Sequence, residues 1–237
     1  ADLRDPLVGE LLDAHLAASP LVRGVRQMAA FHADSDVRSW TEAPGLFADP
    51  AFRRGFEELS RRSLSFEIWC YAHQLPDARA LALAFPETTC VLDHYGTPVG
   101  ALGPRGRVTG QTPMARVAML GAWRDDIAAL AEAPNVVAKH SGLGMPLLGL
   151  PEDSPGRGVS YSRLRDALSP LVRHVDASFG PDRTLWASNF PIDKPTLSLP
   201  TSLKLVTEAL GGRVDVERLT RTNARRVYRI GASATQR

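Results

Sequence analysis

Residues 90–98 read Cys90-Val91-Leu92-Asp93-His94-Tyr95-Gly96-Thr97-Pro98. A short apolar run ends in an acid and an imidazole, and a glycine and a proline then turn the chain away. Buried parallel strands deliver titratable side chains to the mouth of a sheet in this way, and α/β proteins place their chemistry there. An imidazole can bind a metal, relay a proton near neutral pH or polarise a carbonyl. The same pair also fits a structural histidine at a strand end, so the reading turns on whether other strands end alike.

Four further runs have strand character: Leu21 to Gln27, Ser63 to Tyr71, Asn135 to Ser141 and Thr184 to Asn189. Helical patterns alternate with them, opening at Asp5-Pro6 and Asp49-Pro50 and covering Pro76 to Phe85, Ala115 to Ala133 and Tyr161 to Phe179. Two terminal helices follow, near Ser202–Leu210 and Asp215–Tyr228. Leu7, Val8, Leu11, Leu12 and Leu16 form the expected inner stripe of the first helix. The alternation predicts an α/β fold with a parallel sheet. Ala1-Asp2-Leu3 reads as the tail of a strand whose beginning is missing. The segments His32–Ala48, Val99–Pro113 and Gly142–Gly158 are expected loops, and long loops in compact domains are more often functional than idle.

The bulk numbers describe an ordinary globule. The 237 residues suit one large α/β domain, and 44% hydrophobic with 23% charged content is average. The formal charge is +2, and the basic clusters fall in helix-like segments, so solvated helix faces are favoured over a nucleic-acid surface. No apolar run approaches a membrane span. Cys70 and Cys90 both lie in apolar runs and read as small core residues in a reducing, cytoplasmic compartment.

Polar residues gather where the strands end: Arg26, His73, His94, Lys139, His140 and Asn189. All strand C-termini of a parallel sheet lie on one rim, so residues distant in sequence converge there. Each has a plain structural role too. Arg26 suits a surface ion pair, Lys139 a snorkelling stem, and His140 points away from Lys139 by strand alternation. Their joint occurrence favours a site. Other motifs fail: Gly142-Leu143-Gly144 lacks the third glycine of a dinucleotide loop, and there is no P-loop, G-x-S-x-G or H-E-x-x-H. Ser141 beside His140 is adjacent in sequence, so the two point apart.

The segments L-D-H-Y-G-T-P (92–98), N-V-V-A-K-H-S-G-L-G-M-P (135–146), L-W-A-S-N-F-P-I-D (185–193) and T-N-A-R-R-V-Y-R-I (222–230) together resemble the amidohydrolase 2 family, which includes 2-pyrone-4,6-dicarboxylate lactonase and fuconolactonase-like enzymes. R-G-V-R (23–26) and residues 65–76 fit the same pattern. The resemblance implies a single domain over residues 1–237, a distorted (β/α)8 TIM-type barrel lacking its first strand or strands here. It implies a hydrolase acting on a small lactone, amide or carboxylic-acid substrate, usually with a divalent metal such as zinc or manganese.

On that reading His94 and His73 polarise the carbonyl or hold the metal, Arg26 clamps a substrate carboxylate, and Lys139 and His140 line the substrate site. Asn189 orients water. Two departures matter. The family's His-x-His is absent among His15, His32, His73, His94, His140 and His174, and Asn189 stands where the family usually has aspartate. His73 and His94 lack an obvious third ligand, because Asp193 lies beyond a proline, so weak or no zinc binding is expected. The alternative is an incomplete barrel that binds a small acid or needs a partner, with exposed edges favouring a homo-oligomer.

Overall fold

The computed structural model describes residues 1–154, 158–212 and 214–231, so residues 155–157 of the expected Gly142–Gly158 loop lie outside it. Five strands form one sheet: β1 (Gly24–Met28), β2 (Ser65–Trp69), β3 (Cys90–Leu92), β4 (Val136–His140) and β5 (Thr184–Trp186). All neighbouring pairs are parallel and the spatial order is the chain order. A doubly wound sheet reverses its order at a switch point; an unbroken order is that of a barrel wall. Eight strands close such a barrel, and the described residues supply five.

The helices are α1 (Val8–Ala18), α2 (Pro50–Arg61), α3 (Leu75–Ala84), α4 (Pro113–Ala131), α5 (Tyr161–Phe179), α6 (Leu199–Leu210) and α7 (Asn223–Val227). Their starts follow from sequence. Asp49 accepts from Ala51 N–H ahead of Pro50, and Thr112 and Ser198 cap α4 and α6 through Ala115 and Thr201 N–H. Among the described residues, no helix is long and apolar enough to cross a membrane.

Register sorts the sheet into two faces. Arg26, Glu67, Val91 and Val137 are successive partners, so their side chains share the inner face, as do Lys139 and Leu185. Phe66, Ile68, Cys90, Leu92, Val136 and Ala138 point the other way, into the core beneath the helices. Both cysteines are free and buried there.

Residues 223–229 cross the strand starts. Asn223 Nδ2 donates to the carbonyls of Pro181 and Thr184 (both 2.7 Å), whereas Arg229 Nη1 donates to that of Ser63 at 2.6 Å. Val227 and Tyr228 pack on Val91, Val137 and Leu185 of the inner face.

Two expectations fail at the N-terminus. Residues 1–3 form no strand: Asp2 accepts from Arg4 N–H and turns the chain, while Leu3 N–H bonds the Gln27 side chain instead of a ladder. The stripe of α1 is narrower than expected. Val8 and Leu12 are buried and Leu16 packs on the core, but Leu7 and Leu11 face solvent.

Candidate functional site

The inner face ends in a compact group of charges. Lys139 Nζ contacts Glu67 Oε2 and lies 3.0 Å from Asp93 Oδ1. Arg26 Nη2 lies 3.2 Å from Glu67 Oε2 and 3.0 Å from Asp93 Oδ2, and the Tyr228 hydroxyl donates to Glu67 Oε1 at 2.5 Å. Two carboxylates, two cations and a phenol thus come from four neighbouring strands or their ends and from the C-terminal segment. Burial pushes the Asp93 carboxyl up to about 7, with repulsion from Glu67 added and only partly offset by Lys139 and Arg26. Burial acts on Glu67 too, yet Lys139 and the Tyr228 hydroxyl hold it below the usual carboxylate range.

His94 follows Asp93 and stands in an unusual backbone. His94, Tyr95, Gly96 and Thr97 have φ of 53°, 59°, 62° and 31°, four consecutive left-handed residues of which three carry side chains. Each non-glycine there costs roughly 1–2 kcal/mol, a cost that recurs at functional sites. The His94 ring meets Ser141 Oγ at Nδ1 (2.8 Å) and stands edge-on to Trp69. Burial, with the nearby Arg26 and Lys139 charges, lowers its pKa to about 3, so the imidazole is neutral at physiological pH.

Gly142, next to Ser141, lies so close that a Cβ would fall 2.6 Å from His94 Cβ. Beyond it, Asp193 accepts from Asn189 Nδ2 at 2.8 Å and interacts with the amides of Gly144, Gly142 and Leu143. The turn that puts Asp193 beside Asn189 is closed by Asp193 N–H to the Asn189 carbonyl at 3.2 Å. Burial raises Asp193 to about 6 against those bonds, and its Oδ2 has no hydrogen-bond partner among the described residues.

The structure therefore brings Arg26 and Lys139 together, with His94 beside them and Asn189 across the 142–144 turn. His73 stands apart. It is exposed, edge-on to His32 at 5.5 Å and tilted on Tyr71 at 6.3 Å, and Trp69 and Tyr71 intervene between it and His94. His140 lies on the opposite face from Lys139, fully buried, its Nδ1 2.6 Å from the Tyr95 hydroxyl. A place for it in the substrate site is not supported by this position.

Glu67 and Tyr228 were missed by sequence reasoning, Asp93 was noted only as the neighbour of His94, and Ser141 was set aside. The available signal was a charged residue in the middle of three apolar strands, since Arg26, Glu67 and Lys139 have no reason to interrupt such runs singly. The loops above the rim are tied by Asp34, which accepts from the amides of Val108 (2.9 Å), Arg107 (3.2 Å) and Asp36 (3.1 Å) and from the Thr109 hydroxyl (3.0 Å).

A parallel barrel-type sheet with charged and imidazole side chains at its C-terminal rim defines an α/β-barrel protein of the enzyme-bearing kind. The amidohydrolase family model matches residues 6–230, and the chain belongs to that family. An uncharacterised protein, y4mH, of Sinorhizobium fredii is 35% identical over 194 residues, 82% of this chain and 55% of that protein. The L-fucono-1,5-lactonase of Burkholderia multivorans is 31% identical over 191 residues, 81% of this chain and 55% of that enzyme. The chain thus spans about half the length of the curated relatives it matches.

Two crystal structures of an amidohydrolase from Burkholderia multivorans share the fold over 97% of this chain and 71% of theirs. One, with bound HEPES, has a TM-score of 0.75 at 26% identity; the other, with bound zinc, has 0.73 at 24%.

The metal usual in the family needs several ligating side chains aimed at one point. The His73 ring stands against His32 and Tyr71, and His94 Nδ1 is taken by Ser141. No three His, Cys, Asp or Glu side chains among the described residues are disposed to hold a metal ion. The described residues do not make a metal cage by themselves.

Proposed function

We propose that this chain carries the chemistry of a hydrolase that opens a small lactone or related carboxylic-acid derivative by attack of water at the carbonyl. The observation that carries the proposal is Asp93, buried between two cations and raised to about 7 beside a neutral His94. A carboxyl whose pKa lies near the working pH suits a general base, which is worth about 10²–10⁴ in rate. Asp93 takes a proton from the attacking water, the hydroxide adds to the carbonyl carbon, and the ring C–O bond breaks. The proton then passes to the leaving alkoxide. His94, neutral, donates a ring N–H to the carbonyl oxygen as charge develops on it.

Lys139 and Arg26 supply positive charge for an anionic product, and Asn189 orients the water. Arg26 already bridges Glu67 and Asp93, so a substrate carboxylate would share its guanidinium with them. The two free thiols support a reducing, cytoplasmic setting, and the exposed Leu7, Leu11 and Leu21 support association of copies. L-fucono-1,5-lactone, after the relative that acts on it, is the first probe, read by proton release in a weak indicator buffer. Asp93→Asn and His94→Gln should each lower kcat/KM by about 10²-fold or more, and the wild-type rate should rise to a plateau above pH 7. Activity within twofold of wild type in Asp93→Asn on a substrate the protein turns over would remove the base from the mechanism.

A further inference from the structure

His140, Tyr95 and the left-handed turn have no part in the chemistry above, yet they are joined. Strand alternation makes adjacent residues point to opposite faces, and here it does so at two neighbouring strand ends. On the site side, Ser141 Oγ meets His94 Nδ1 at 2.8 Å. On the helix side, the very next pair repeats the contact: the Tyr95 hydroxyl lies 2.6 Å from His140 Nδ1, the rings edge-on at 5.7 Å. One dipeptide, His140-Ser141, grips another, His94-Tyr95, through the sheet from both sides.

The grip on the helix side is fully buried. Tyr95 is 2% exposed and His140 0%. The Tyr95 carbonyl accepts from Trp123 Nε1 of α4 at 2.8 Å, which fixes the backbone of the turn as well as its ring. His140 Nε2 points toward Asp176 Oδ1 of α5 at 3.9 Å, too long for a hydrogen bond but suited to keeping the ring proton on Nε2. Nδ1 is then the acceptor, and the tyrosine O–H donates to it. A chain of polar groups thus runs from helix α5 through His140 and Tyr95 to a backbone segment that no L-residue adopts readily. Apolar packing alone would seat a phenylalanine at 95; the hydroxyl and its buried acceptor exist as a matched pair.

We propose that the Tyr95–His140 hydrogen bond is a positioning strut, which holds the left-handed turn so that Ser141 and the site receive the His94 ring in one orientation. This rests on the reading of His94 as the donor to the substrate carbonyl, and both residues act through His94 without touching substrate.

The test uses Tyr95→Phe, His140→Ala, His140→Asn and His140→Gln in the purified protein, with two readouts. Asparagine places an oxygen where Nδ1 sits, whereas glutamine places its polar end nearer Nε2. The ring-nitrogen NMR lines of His94, assigned by their loss in His94→Gln, should move in Tyr95→Phe, His140→Ala and His140→Gln, and return toward wild type in His140→Asn. On L-fucono-1,5-lactone or another lactone turned over by the wild type, kcat should fall about tenfold to a hundredfold in the first three with KM within about twofold, and His140→Asn should recover most of the loss. His94 lines at wild-type positions in both Tyr95→Phe and His140→Gln would overturn the strut. If Tyr95→Phe does not fold, the His140→Asn and His140→Gln pair decides in the same way. Wild-type activity in His94→Gln would instead refute the catalytic reading, while the NMR lines would still judge the strut.

Discussion

Replacing Lys139 with methionine keeps the stem and removes the charge that Asp93 and Glu67 share. Asp93 is fully buried, 3.0 Å from the ammonium, and Glu67 is 12% exposed in contact with it. Taking one partner from a buried ion pair costs about 3–5 kcal/mol because the other charge stays behind. Here the cost depends on pH. The folded pKa of Asp93, about 7, lies above its unfolded value of 3.8. Its stabilising contribution is therefore fully present below the unfolded value and is lost as pH rises through the folded one.

Without Lys139 that pKa climbs further. At pH 5 Asp93 is neutral in both proteins, and only Glu67 loses a partner. At pH 8 both anions do. The expected penalty is about 1–2 kcal/mol at pH 5 and about 3–5 kcal/mol at pH 8. Urea unfolding followed by tryptophan fluorescence at the two pH values measures it. A penalty below about 1 kcal/mol at pH 8, or one equal at both pH values, would refute the assignment of Lys139 as the charge that sustains Asp93.

Asp193→Asn should raise stability at pH 8 by about 1–3 kcal/mol and leave it unchanged at pH 4. The folded pKa is raised to about 6, so the wild type loses that contribution as pH climbs through it; thermal unfolding against pH reads the difference. Tyr228→Phe removes the 2.5 Å bond to Glu67 and should cost about 1 kcal/mol, seen in the same assay. Asp34→Ala frees the amides of residues 107 and 108, so limited proteolysis should cut the 99–112 loop several-fold faster with the core still protected. An unchanged cleavage rate would show that the loop is held elsewhere.

The strands were legible because apolar runs and capped helices alternate, information carried within a few residues of each position. The partners across the sheet were not, because register is a long-range property. Glu67 sits unremarked within the strand-like run Ser63 to Tyr71, and only its pairing with Arg26 turns it into half of a buried ion group. Asp193 looked out of reach past Pro191, yet a single turn closed on the Asn189 carbonyl brings its carboxyl back. His73 and His94 share a residue type and a strand-end position, and two aromatic rings keep them apart. Ser141 was set aside because its sequence neighbour His140 points away; its true partner, His94, is 47 residues distant.

The segment 223–229 has a kinetic consequence. Its bonds reach back 161 residues to Glu67, 166 to Ser63 and, through Arg229, 206 to Arg23. Each βα unit can condense locally as it leaves the ribosome, but the seal across the strand starts cannot form until residues 223–229 have emerged. Until then Glu67 is left without its phenol, and β1 and β5 are joined through the strands between them. A nascent chain stalled before Tyr228 should accordingly hold native-like helices around an unsealed floor, the state in which a chaperone would meet it.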